Sequence, residues 1–154
     1  MSGSGLTWTL VAQENTTKGD AEVWVAHAGT KNPVTVKATA KKAGFVIAQT
    51  EVAYKNATGI GASGTFSSAS GAPTGTITTT HDNSRVWGVG FDPAAAKGRT
   101  PGPGQKLFTQ TKAGGTTSWV QSQTQPTPAA GTSVTINDTA PATDPYNLVV
   151  VEIS

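Results

Sequence analysis

The sequence contains no cysteine, so disulfides and thiolate metal sites are excluded outright. Charge is also scarce: Asp, Glu, Lys and Arg supply 13% of the 154 residues, against about 25% in an average domain. Eleven cations face nine anions, and among them only Lys41 and Lys42 are adjacent cations. Neutralising a phosphate backbone needs several converging cations, so nucleic acid is not an expected partner. No run approaches the roughly 18 apolar residues of a membrane span, and membrane insertion is not expected. Residues 1–5 (Met-Ser-Gly-Ser-Gly) have neither the basic stretch nor the apolar core of a secretory signal. They read as a flexible linker ahead of a single domain over 6–154. A domain cut from a longer exported protein fits this pattern, as does a virion component that needs no signal.

What is present favours strands. The hydrophobic fraction is 36% and rises to roughly 48% with the 18 glycines, the usual figure for a globular chain. Thr, Ser, Asn, Gln and Gly replace the missing charge. Thr is stiff at χ1 and suits a pleated surface, whereas Lys and Glu, the usual residues of helix surfaces, are few. An all-β domain is the expectation.

Period-2 alternation sets Leu6, Trp8 and Leu10 opposite Thr7, Thr9 and Val11, which predicts a first strand. A turn over Asn15–Asp20 leads to a second strand, Ala21–Ala28. After Asn32-Pro33, Val34–Lys41 alternates cleanly and predicts a strand wetted on one side. Phe45–Tyr54 is more apolar and predicts a central strand. One weak strand is expected near Ile60–Phe66, then Thr74–Thr80, a turn over His81–Ser84, and Arg85–Phe91. Gly88 and Gly90 leave one face of that last strand bare, so a bulky neighbour such as a Trp should lie against it. Asp92–Gly98 carries an acidic cap, a Pro, three Ala, a Lys and a stop Gly, which predicts a helix of one or two turns. Gln105–Thr111 and Thr116–Gln123 form a hairpin across Lys112–Gly115. Ser133–Asn137 follows. Tyr146–Ile153, apolar on both faces, predicts an interior strand. About ten short strands read as a two-sheet antiparallel sandwich, of jelly-roll or immunoglobulin-like Greek-key topology.

Several fragments carry a resemblance: Leu6–Val11, Ala21–Ala26, Gly61–Gly64, Ser70–Pro73, Val86–Gly90 and Val149–Ile153. Across nearly the whole chain they resemble a bacterial β-sandwich accessory module of secreted and cell-surface proteins, found also in some phage structural proteins. The resemblance implies a non-catalytic module and no particular ligand. Related modules carry a longer insert near Tyr54–Gly59 and sit beside other domains.

Reactive constellations are thin. His27 and His81 are the only histidines, no Gly-x-Ser-x-Gly elbow occurs, and both histidines read as ordinary strand and turn residues. Glu22, Glu51 and Glu152 are the acids that a glycoside-active enzyme would draw on; they read as strand-end charges paired with cations such as Arg85 or Lys37. Asp138 and Asp144 flank one loop and could share Ca²⁺; no other cofactor is expected. For sugar stacking, Trp119 with Gln121 and Gln123 leads, backed by Trp87 and Tyr146, while Trp8 and Trp24 read as core. The loops Arg99–Gly104 and Gln123–Gly131, poor in charge, suit contact with a protein partner or another copy. The expected role is a structural or adhesive module of an extracellular, cell-surface or virion assembly. A carbohydrate-binding module and, less well matched, a glycoside-active enzyme are the alternatives.

Overall fold

The computed structural model describes residues 1–29 and 33–154. Among them no helix occurs, and ten strands pair antiparallel throughout. In chain order they are β1 (Thr9–Glu14), β2 (Ala21–Val25), β3 (Ile60–Ser68), β4 (Thr74–Thr78) and β5 (Arg85–Asp92). There follow β6 (Thr100–Pro101), β7 (Gln105–Ala113), β8 (Thr116–Gln123), β9 (Ser133–Ala140) and β10 (Tyr146–Ile153). Five strands form one sheet in the order β3-β10-β5-β8-β7, three form another in the order β4-β9-β6, and β1-β2 is a separate hairpin. With no helix present, none is long and apolar enough to cross a membrane among the described residues.

The five-stranded sheet holds apolar clusters on both faces, and β10 explains why. Leu148 and Val150 join Val86, Trp119 and Tyr146 on one face and meet Ile77, Val134 and Ile136 of the three-stranded sheet. Val149 and Val151 point the other way and pack with Trp87 against Ala21 of the hairpin, with Val11 and Val23 beside them. Each such side chain contributes about 1.5–3 kcal/mol on burial, which is why a strand covered on both faces is apolar throughout.

The bare face of β5 is filled as its sequence predicts. Gly90 stands opposite Trp119 in the ladder, and a Cβ there would overlap the indole ring. The β7–β8 hairpin turns on Gly114 and Gly115, with φ of 57° and 77°, the left-handed pair that a two-residue turn requires.

Four expectations fail. No helix forms over Asp92–Gly98. The Asp92 carboxylate does accept the N–H groups of Ala94 and Ala95, as a cap would. However, Thr117 Oγ1 contacts the carbonyls of Ala95 and Lys97, so the groups that would propagate a helix are held by β8. Val34–Lys41 makes no strand: Lys37 and Ser2 exchange one pair of backbone bonds, at 2.8 and 2.9 Å, and Asn32 lies outside the described residues. Phe45–Tyr54 is neither a strand nor central, and Phe45 and Val46 are 69% and 89% exposed. The interior place it was expected to take belongs to β10, flanked on one side by β3 and on the other by β5. The first two strands are also displaced, to Thr9–Glu14 and Ala21–Val25. The loop Thr100–Gly104 gains a short strand, β6, paired with β9.

Candidate functional site

The densest polar chemistry lies between the five-stranded and three-stranded sheets, built around Arg99. Its side chain is fully buried, and its Nη2 donates to Asp92 at the end of β5. The guanidinium carbon sits 4.2 Å from the centroid of the Trp119 ring, so the cation is held by a carboxylate and an indole face together. Asp138, on β9, is 2% exposed. Burial pushes its carboxyl up to about 7, while the charge of Arg99 pulls the other way. One cation therefore serves two carboxylates. With Asp138 protonated the cluster is neutral; with it ionised an uncompensated charge sits in a poorly solvated interior. Gln121 Nε2 donates to Gln105 Oε1 and to the Asn137 carbonyl, each at 3.2 Å, tying β8 to β7 and β9.

A second buried acid behaves in the opposite way. Glu152, on β10, accepts hydrogen bonds from the N–H groups of Ala62 and Thr80 at 2.8 Å and of His81 at 2.9 Å, and from Thr80 Oγ1 at 2.9 Å. Burial acts to raise its pKa, but these donors prevail and hold it at about 2. A carboxylate that acidic is a poor general base near neutral pH. It fastens β3 and the turn after β4 onto β10. Asn147 does similar work on the other face of the sheet: its Oδ1 accepts from Thr17 N–H and Oγ1, and its Nδ2 donates to the carbonyls of Thr17 and Gly19.

The residues singled out for ligands are dispersed and mostly enclosed. Trp119, Gln121 and Tyr146 are buried on the face toward the three-stranded sheet. Trp87 is buried on the opposite face, its Nε1 donating to Tyr54 Oη at 2.7 Å and its ring edge-on to Tyr54 and Phe108. Gln123 is half-buried, and its Oε1 accepts from Val86 N–H and Thr127 Oγ1. With Trp119 1% and Trp87 6% exposed, neither ring has a free face for a pyranose. Trp8 and Trp24, read as core, are half-buried instead. Strand parity separates the two faces of a strand; only the tertiary fold says which face is covered.

Asp138 and Asp144 do not converge on one partner. Asp138 responds to Arg99, whereas Asp144 accepts from Lys97 Nζ at 2.9 Å. Among the described residues no group of three or more His, Cys, Asp or Glu is placed to hold a metal ion. Of the strand acids, Glu22 accepts from Trp24 Nε1 and Gln13 Nε2, and Glu51 from Gln49 Nε2. His27 is exposed, and His81 Nδ1 lies 2.9 Å from Thr80 Oγ1.

Comparison with protein-family models, with curated proteins and with solved structures finds no match to this chain. One groove, of about 390 Å³, runs between Gln123–Pro128 and Ser133–Thr135, lined by amides, hydroxyls and prolines with no charged side chain. Gln123 is the one predicted ligand residue that lines it. Arg99, Asp92 and Asn147 were not anticipated. Asp92 is legible only as a helix cap, Arg99 and Asn147 carry only loop and strand signals, and the partners of each lie elsewhere in the fold.

Proposed function

We propose that this chain is a non-catalytic structural or adhesive module, of the two-sheet sandwich class, in an extracellular, cell-surface or virion assembly. One observation carries the reading: the side chains best suited to chemistry are engaged in holding the sheets together. Arg99, Asp92, Asp138, Glu152, Gln121 and Asn147 are all buried. The outer surface instead presents hydroxyls, amides and several large apolar side chains. A surface poor in charge associates with fewer ions to desolvate. The resemblance to accessory modules of secreted and phage proteins points the same way.

Recovery of the tagged chain from its native source, followed by sizing under mild conditions, tests this reading. Migration with a larger particle or surface fraction is the expected result. A free monomer with no partner, or turnover of a glycoside that survives purification, would overturn it.

The uncharged groove beside Gln123 favours a second reading, as a carbohydrate-binding module. Neutral sugars suit amides and hydroxyls fixed on a rigid wall. Substituting Gln125 and Thr127 with Ala should then abolish any signal on a glycan array; an array silent for the unaltered chain removes the reading.

A further inference from the structure

The segment from Val34 to Tyr54 has a strand's sequence but no sheet of its own. Val34, Val36, Ala38 and Ala40 alternate with polar residues, yet among the described residues the one strand-type pairing there is the bridge between Lys37 and Ser2. Phe45, Val46, Ile47, Val52 and Tyr54 are all exposed large apolar side chains, and Tyr54 continues through Trp87 to the half-exposed Phe108. Apolar surface concentrated in this way marks an interaction site in a folded protein.

The charge of the segment indicates what covers it. From Pro33 to Lys55, Lys37, Lys41, Lys42 and Lys55 face Glu51 alone, a net charge of +3. The β1–β2 hairpin, from Thr9 to Val25, carries Glu14, Asp20 and Glu22 against Lys18, a net charge of −2. Asp20 and Glu22 are drawn together by Gln13 Nε2, at 2.7 and 2.9 Å. Burial and the neighbouring Glu22 raise the Asp20 pKa against that amide, the mark of two like charges held close. The hairpin is a two-stranded sheet with no third strand, so it offers edges to which an extended segment can add. Within one copy, no ion pair joins the basic segment to the acidic hairpin among the described residues.

We propose that the Val34–Tyr54 segment docks on the β1–β2 hairpin of a second copy of this chain, Lys37, Lys41 and Lys42 meeting Asp20 and Glu22 while Phe45–Ile47 become covered. A basic patch does not complement itself, so each contact joins unlike patches of two copies, which can pair reciprocally in a two-fold dimer or repeat head-to-tail into rings or filaments. This inference rests on the assembly reading and names its partner.

Sedimentation velocity of the full chain over a range of concentrations provides the test. Reversible association is expected, weakening by about tenfold or more from low to high salt. The triple variant Lys37→Glu, Lys41→Glu, Lys42→Glu and the double variant Asp20→Lys, Glu22→Lys should each sediment as monomers. Mixed, they should associate again, since the intact basic segment of one variant meets the intact acidic hairpin of the other and the two reversed patches also complement each other. Phe45→Ser with Val46→Ser, which touches exposed positions only, should give the same loss should a charge variant fail to fold. A wild-type chain that stays monomeric at low salt, association indifferent to these variants, or charge variants that ignore each other would each overturn the inference. A monomer that still migrates with its native particle sinks this inference and leaves the assembly reading standing; a monomer with no particle sinks both.

Discussion

Two carboxylates buried on the same side of the central sheet, Glu152 and Asp138, are driven in opposite directions. Both are almost without solvent contact, so desolvation acts against the charge of each. Glu152 is met by a ring of backbone and hydroxyl donors and is held at about 2. Asp138 must share one guanidinium with Asp92 and rises to about 7. Burial works against the charge at both places, and the donors converging on the Glu152 oxygens let that carboxylate keep its charge.

Substitution sharpens the contrast. Glu152→Ala should cost on the order of 3–5 kcal/mol, because it strips several buried N–H groups of their acceptor. Chemical denaturation of the purified variant measures this, and a loss under about 1 kcal/mol would dissolve the distinction. Arg99→Met should approach the same loss near neutral pH, since it leaves Asp92 as an unpaired buried charge. Pairing it with Asp92→Asn should recover much of the stability.

The pH profile comes next in size. Asp138 has a folded pKa of about 7 above its ordinary 3.8, so the native state retains a proton that the unfolded chain has released. Its contribution is full below about 4 and is lost as pH rises toward 7. Glu152 has a folded pKa of about 2 below its ordinary 4.5, so its contribution is full above the latter value and is lost as pH falls toward the former. Unfolding free energy measured against pH should decline on both sides of a maximum near pH 4, by on the order of a few kcal/mol. Asp138→Asn should flatten the alkaline side, gaining on the order of 3–4 kcal/mol at pH 9 and almost nothing at pH 3. A variant equally stable at both would show that Asp138 is not the titrating group. The smallest effect belongs to Thr80→Val, which removes one donor from Glu152 and should cost about 1 kcal/mol in the same assay.

How far the sequence discloses this architecture depends on whether the governing interaction is local. The interior position of β10 follows from four consecutive apolar residues, Leu148–Val151, because only a strand covered on both faces tolerates them. The Trp against Gly90 and the turn at Gly114-Gly115 are legible for the same reason: an absent side chain states a steric requirement. The helix expected over Asp92–Gly98 illustrates the limit. Its cap works, but Arg99 and Thr117 recruit Asp92 and the following carbonyls into contacts across the sheets. The apolar Phe45–Tyr54 was legible as strand-like, yet nothing in it reveals that β10 takes the interior place. The Arg99 cluster was not legible at all, because Asp92, Trp119 and Asp138 stand on three different strands.

The place of β10 between β3 and β5 bears on how the molecule comes into being. A ribosome delivers β3, β5, β7 and β8 well before the strand that joins β3 to the others. Until then the nascent polypeptide holds a three-stranded β5-β8-β7 array and an orphaned β3, each with its greasy side open to water. Such a chain commits to its final form late and all at once, so a truncation that removes Leu148–Val151 should leave no native fragment behind.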